Sequence, residues 1–259
     1  MPKGEKFRSR SVGGNMPEFK LKLPVIENPD EHDLWVDQVI SQEEKKDCLD
    51  KFKSCGIGKE YFNFSLESFE REMPKQKEMI DKARIYFGHI IHNEKSNMLI
   101  TGNAGEGKTH LAVGLLRQFC FQKHKINVNG YEFESFYSVH YLTSKDLCDD
   151  YRKTQAFTTQ YSSYSFYRDY TKTYDIMVID ELGKSTDKSE WNILFDVLDK
   201  RMQEGKSTII ISNLDYETLN SSLGDYGMSR LNISGNLVRI DTVGLPDYRQ
   251  RANKLKEVV

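Results

Sequence analysis

The sequence predicts an α/β fold built on a five-stranded parallel sheet, and three observations predict it. Short apolar runs alternate with segments of helical periodicity, the pattern of strands covered by helices on both faces. One run leads directly into Gly102-Asn103-Ala104-Gly105-Glu106-Gly107-Lys108-Thr109, which matches the phosphate-binding pattern G-x-x-x-x-G-K-[ST] at every fixed position. Another ends in the adjacent carboxylates Asp180 and Glu181, where an open α/β sheet presents its ligand crevice.

Taken in order, residues 1–22 are basic and rich in Gly, Ser and Arg, with little apolar material, which predicts a flexible tail. Residues 23–55 turn acidic and then amphipathic. Leu34, Trp35, Val36, Val39 and Ile40 precede Glu43, Glu44, Lys45 and Lys46, as expected of a small helical N-terminal module. Residues 56–259 carry the alternation. Strands are expected over 98–101, 139–143, 176–180, 208–212 and 237–241, short apolar runs suited to burial on both faces. Helices are expected over 75–92, 109–122, 144–153, 189–202 and 246–258. Residues 161–174 are unusually rich in tyrosine, and no internal repeat interrupts the pattern.

Length and composition bound the rest. The 259 residues, 38% hydrophobic, suffice for one large α/β domain with a smaller appendage. With 37 Lys and Arg against 39 Asp and Glu, a global basic field is excluded, so nucleic-acid contact would need a local patch. Cys48, Cys55, Cys120 and Cys148 form no C-x-x-C pair, which argues against a disulfide framework or zinc ribbon and for reduced thiols in the cytoplasm. No run approaches the ~18 apolar residues of a membrane span, and residues 1–15 lack the apolar core of a signal peptide, so no membrane partner is expected.

The glycines of the motif let backbone N–H groups close around phosphate oxygens, and the helix that follows adds the positive end of its dipole. Gly102, Asn103, Ala104, Gly105, Glu106, Gly107, Lys108, Thr109 and the next residue, His110, are the expected nucleotide-binding set, with ATP and Mg²⁺ as cofactors. Lys108 would bridge the β and γ phosphates, and the Thr109 hydroxyl would meet Mg²⁺. Asp180 would hold the ion's water shell, and Glu181 would orient and polarise the attacking water. The strand over 208–212 ends in Asn213, whose amide can help position that water; by itself Asn213 also reads as a turn or capping residue.

The order and spacing of these parts resemble the AAA+ family of DnaC and DnaI helicase loaders and their relative, the IstB transposition ATPase. The resemblance runs from about residue 56 to the end of the sequence. Gly56-Ile57-Gly58, Phe62 and Phe64-Ser65-Leu66-Glu67-Ser68-Phe69 are similar to the segment that leads into that family's ATPase domain. Asp180 and Glu181 resemble a Walker B pair, and Met228-Ser229-Arg230-Leu231 lies where the family carries an arginine finger. The resemblance implies that Arg230 reaches the ATP of a neighbouring subunit, coupling hydrolysis to self-association into a ring or spiral. Pro246-Asp247-Tyr248-Arg249-Gln250-Arg251 is similar to the closing segment, which makes Arg249 a candidate second sensor; a lone arginine there equally reads as a solvated side chain.

The fold so implied is a P-loop NTPase of AAA+ type (ASCE), expected to lack a C-terminal lid domain. The implied function is ATP-dependent loading of a DnaB-type replicative helicase onto single-stranded DNA during replication initiation, in a bacterial cell or one of its phages. The helicase would be gripped by the N-terminal module. Some members carry a zinc module there; Cys48 and Cys55 lack two further ligands with suitable spacing, which leaves the partner least legible. The DNA-facing candidates are Tyr167 and Arg168, in a stretch of rings and cations that reads equally as packing for a helical hairpin. Rival readings are an IstB-like accessory ATPase that binds DNA and a transposase, a P-loop kinase, and a clamp switched by bound ATP.

Overall fold

The computed structural model describes residues 40–154, 163–184, 188–232 and 235–248. The expected tail, residues 23–39 of the N-terminal module, and Arg249 with most of the expected last helix lie outside the described residues.

The chain forms α1 (Gln42–Lys53), a 3-10 turn (Lys59–Tyr61), α2 (Pro74–Ile91), β1 (Asn97–Thr101) and α3 (Lys108–Cys120). Next come β2 (Lys123–Val128), β3 (Tyr131–Phe136), β4 (Val139–Thr143), α4 (Ser144–Thr154) and α5 (Ser163–Tyr167). A π-helical turn (Arg168–Thr173) leads to β5 (Ile176–Leu182), α6 (Lys188–Gln203), β6 (Ser207–Ser212), α7 (Tyr216–Leu231) and β7 (Leu237–Asp241). The five expected strands are all present and pair in parallel in the order β4-β5-β6-β1-β7. β6 therefore separates the strand that leads into the phosphate loop from the strand that ends in the acidic pair, the ASCE arrangement.

The pleat explains why these strands read as unbroken apolar runs. Met98 and Ile100 of β1, Val178 of β5 and Ile209 and Ile211 of β6 face a core shared with α1, α2 and α3. Their neighbours Leu99, Met177, Ile179 and Ile210 face a second core shared with α4, α6 and α7. β1, β5 and β6 thus bury both faces, whereas the edge strand β7 buries Val238 and Ile240 and exposes Arg239 and Asp241; each large aliphatic side chain so buried contributes on the order of 1.5–3 kcal/mol.

Three features depart from the sequence reading. First, α1 starts on a full capping box, in which Ser41 Oγ accepts from Glu44 N (3.2 Å) and Glu44 Oε2 from Ser41 N (2.8 Å). Its Cys48 and Phe52 are wholly buried in the same core as Leu111 and Leu115 of α3, so this helix is built into the ATPase body rather than onto a core of its own. Second, β2 and β3 form an antiparallel hairpin outside the main sheet, closed by Asn129 (φ 54°) and Gly130 (φ 88°). The two left-handed residues match a type I′ turn, and Tyr131 and Phe133 stand exposed on the second strand. Third, α7 fills what read as a connection; Asp215 caps it by accepting from Thr218 N (2.7 Å), and Gly224 (φ 62°) kinks it.

Within the tyrosine-rich stretch, Phe166 of α5 is wholly buried and Tyr170 of the π-helical turn nearly so, and that turn is tied to the sheet by Arg201 of α6. This buried guanidinium donates to Tyr170 O (2.8 Å), Tyr174 O (3.1 Å), Ser207 O (2.5 Å) and Thr208 Oγ1 (2.9 Å). Five fixed donors in a planar fork suit such a task, which a lysine could not perform.

Candidate nucleotide site

The site grows from the carboxyl end of β1. After Thr101 the chain turns through Gly102 (φ 138°), Gly105 (φ 82°) and Gly107 (φ 89°), then enters α3 at Lys108. At Gly105 the left-handed φ favours glycine, and the missing Cβ leaves room for the Asp247 carboxylate. The loop is fastened from behind by Glu106, whose buried carboxylate accepts from Asn103 N (2.6 Å), Asn103 Nδ2 (3.0 Å), Thr242 Oγ1 (2.8 Å) and Gly244 N (3.3 Å). The Glu106 side chain is thus a brace between the loop and the end of β7, so its expected place in the nucleotide-binding set falls to its backbone. Lys108 is buried, and its ammonium donates to Gly102 O (2.7 Å) and Asn103 O (2.5 Å).

The adjoining strand end supplies the acids. Asp180 is buried; its Oδ2 accepts from Thr109 Oγ1 (2.9 Å) and from the Tyr141 hydroxyl (2.6 Å), while Oδ1 accepts from Glu181 N (2.6 Å). A register shift between β5 and β6 falls over Ile179 to Leu182, and within it Glu181 adopts the left-handed region at φ 63°. For a non-glycine residue this backbone is strained by about 1–3 kcal/mol, and it turns the glutamate out of the pleat. Its carboxylate, partly exposed, pairs with Lys184 Nζ at 2.5 Å. Past the bulge, Gly183 (φ 85°) lets the chain close on Leu214, whose Cδ1 lies 2.4 Å from where a Cβ would stand. Ser212 Oγ donates to Leu182 O (2.7 Å) and accepts from Leu214 N (3.0 Å), which fixes the intervening Asn213 at the end of β6.

These groups surround one cavity of about 950 Å³, lined by Ala104, Gly105, Gly107, Lys108, Thr109 and His110 on one side and by Asp180, Glu181 and Asn213 on another. Gly56, Gly58, Tyr61, Phe64 and Phe69 of the leading segment, together with Tyr141 and Tyr248, complete the wall. His110 stacks on Phe64 (4.2 Å between centroids, 20°), and its Nε2 lies 3.0 Å from Ser65 O and 2.9 Å from Ser68 Oγ. Burial pushes its pKa down, so the imidazole is neutral and ties α3 to the leading segment. The Thr109 hydroxyl and the Asp180 carboxylate, side by side on the cavity wall, are hard oxygen donors of the kind a hydrated Mg²⁺ takes in small number. The residues present fit that ion.

Residues 67–240 match the family described as IstB-like ATP binding protein. The chain belongs to this family. ATP is therefore the nucleotide of this domain, and the domain is an ATPase. It is 25% identical over 183 residues to the replicative helicase loader DnaC of Buchnera aphidicola subsp. Acyrthosiphon pisum, a match that spans 70% of this chain and 68% of that protein. Its fold superposes on a crystal structure of the DnaC helicase loader with a TM-score of 0.56 at 20% identity, over 71% of this chain and 99% of that one. It also superposes on domain III of the Thermotoga maritima replication initiation protein DnaA with a TM-score of 0.54 at 21% identity, over 78% and 75% of the two chains. The fold is that of AAA+ P-loop proteins.

Gly102, Asn103 and Glu106 lie behind the cavity wall, and Arg230, Tyr167 and Arg168 lie away from it. Arg230, near the end of α7, pairs through Nε with Asp199 Oδ1 at 2.6 Å and keeps its side chain part-exposed. Tyr167 turns onto α6, where its hydroxyl donates to Asp196 and the Lys200 ammonium lies 3.5 Å from its ring centroid. That is the packing alternative for the aromatic stretch; a ring so engaged offers no open stacking platform. Arg168 pairs with Asp169 at 2.7 Å and remains half exposed. Sequence reasoning missed Tyr141, Asp247 and Tyr248. Tyr248 N donates to Gly105 O (3.0 Å) and its hydroxyl meets Gln76 Nε2, which closes the cavity over the loop. Among the described residues no helix is long and apolar enough to cross a membrane.

Proposed function

We propose that the chain loads a DnaB-type replicative helicase onto single-stranded DNA at replication initiation, using ATP with Mg²⁺. The observation that carries this reading is the 25% identity to a replicative helicase loader over 183 residues, 70% of this chain. The chemistry supports it residue by residue. Lys108 leaves the carbonyls of Gly102 and Asn103 for the β and γ phosphates, and the first N–H groups of α3 meet the same oxygens. Thr109 and Asp180 would hold Mg²⁺, which would supply neutralisation of the phosphate charge. Glu181 orients the attacking water and takes its proton, and Asn213 fixes that water from the β6 side.

Arg230 belongs to the neighbouring protomer's reaction in this scheme. It lies off its own cavity and is held at the surface by Asp199, so a ring or spiral of copies would bring it to the next ATP. Residues 23–55 are the proposed helicase grip, and a channel between protomers, with Arg168 a candidate contact, is the proposed path of the DNA.

Helicase activity on single-stranded circles coated with the cell's single-strand-binding protein tests the proposal. The full chain with ATP is expected to bring helicase onto the circles, and Lys108→Ala is expected to abolish that delivery. Full ATP turnover with no helicase delivered contradicts the loader role; capture of a transposase by the same preparation would then favour the IstB-like accessory reading.

A further inference from the structure

We propose that the Tyr141 hydroxyl is the positioning group that fixes Asp180 for the magnesium ion of bound ATP; this rests on the reading that Mg²⁺ accompanies the nucleotide. Three donors hold the Asp180 carboxylate: Glu181 N on Oδ1, and Thr109 Oγ1 and Tyr141 Oη together on Oδ2. They differ in what happens when the ion arrives. Thr109 is itself an expected ligand, so its hydroxyl turns to the metal and its bond to Asp180 weakens. Tyr141 has no such second duty. Its hydroxyl stays on Oδ2 and keeps the carboxylate from rotating, with a lone pair still free for the ion's water shell.

Geometry and chemistry both make this tyrosine a permanent donor. Thr143 of β4 is the register partner of Asp180 on β5, and Tyr141 lies two residues earlier, so the pleat sends the two side chains to the same face. Tyr141 is 8% exposed, and its phenol carries one hydroxyl hydrogen, which it gives to Asp180 Oδ2 at 2.6 Å. The backbone is held as firmly. Tyr141 N donates to Cys55 O at 2.7 Å, and a Cβ on Gly56 would lie 2.1 Å from Tyr141 O, so the leading segment crosses directly over this residue. The ring of Tyr61 packs against it at 6.5 Å between centroids. The leading segment and the ion-binding carboxylate are thereby joined through one side chain.

Titrating a fluorescent ATP analogue into wild type and Tyr141→Phe, in EDTA and across a Mg²⁺ series, tests the assignment. The phenylalanine keeps the ring and its packing, and thermal melts of both proteins check the fold. Affinity in EDTA is expected to agree within about twofold, whereas the Mg²⁺ concentration for half-maximal tight binding is expected to rise about tenfold in Tyr141→Phe, as for other outer-shell partners of a metal ligand. An unchanged Mg²⁺ requirement overturns the proposal. So does an equal loss with and without Mg²⁺, which marks a purely architectural tyrosine. Wild type that binds the analogue no better with Mg²⁺ than in EDTA overturns the magnesium reading and the proposal together.

Discussion

In the proposed reaction Glu181 has to be aimed at the attacking water, and the left-handed φ of 63° in the β5 bulge gives its side chain a fixed departure from the strand. Because Glu181 is partly exposed and paired with Lys184, its loss should leave the loop intact. Glu181→Gln is therefore expected to bind ATP within about threefold of wild type and to lower turnover by about 100-fold or more, within the range for a positioned general base. Equilibrium binding and steady-state phosphate release check the two halves. Residues of this kind were legible in the sequence when local spacing fixes them, as it does for Lys108, Thr109, Asp180 and Glu181. Tyr141 was not, because its partner is 39 positions away and only the β4–β5 register brings them together. Glu106 was legible as part of a motif but not as a brace, since Thr242 and Gly244 lie 136 and 138 positions away and are brought in only by the pairing of β7 with β1.

At the scale of elements, β1, β5 and β6 were readable because burial on both faces leaves an apolar run, and β7 because Val238 and Ile240 alternate with polar neighbours. The β2–β3 hairpin was missed although Asn129-Gly130 is a strong turn signal; its strands carry Lys, Glu and Asn on one face and do not read as buried. Helix α7 was missed because Gly224 and Gly227 interrupt its apolar spacing, and a Cβ at Gly227 would come within 2.4 Å of Phe195 on α6. The boundary at residue 55 cuts through a core that α1 shares with α3. Phe52 is the clearest token of this, wholly buried with the Arg117 guanidinium 5.5 Å from its ring centroid. Phe52→Ala is expected to destabilise the whole ATPase body by about 3–5 kcal/mol, seen as a single cooperative shift in urea unfolding. A separate early transition for α1, with the main midpoint unmoved, would show that the helix folds independently.

At the scale of the whole molecule, stability is tied to pH through His140. Its ring stacks on Tyr174 (4.3 Å, 9°) and is largely buried, with the Arg201 charge near it and Asp150 only partly offsetting, so its pKa is pushed down to about 4. The folded form keeps this histidine neutral while the unfolded chain binds a proton at about its ordinary 6.5. Between those values the unfolded state holds more protons, so stability falls as pH drops from about 6.5 and levels off near 4. His110 and His124 are lowered in the same direction, whereas the carboxyls of Asp150 and Asp175, lowered from 3.8, withdraw their contribution only in stronger acid. The urea midpoint is expected to be lower at pH 5 than at pH 7.5, and His140→Asn to flatten that difference.

The loader role, the inter-subunit arginine and the ion-positioning tyrosine all presuppose a triphosphate held in the cavity by Lys108. Equilibrium binding of ATP with Mg²⁺ to the full chain, measured by calorimetry beside Lys108→Ala and Arg230→Ala, tests this most directly. The account predicts saturable binding by wild type and Arg230→Ala alike, and a loss of about 100-fold or more in Lys108→Ala. Saturable binding that survives Lys108→Ala unchanged, or that disappears in Arg230→Ala, would contradict it.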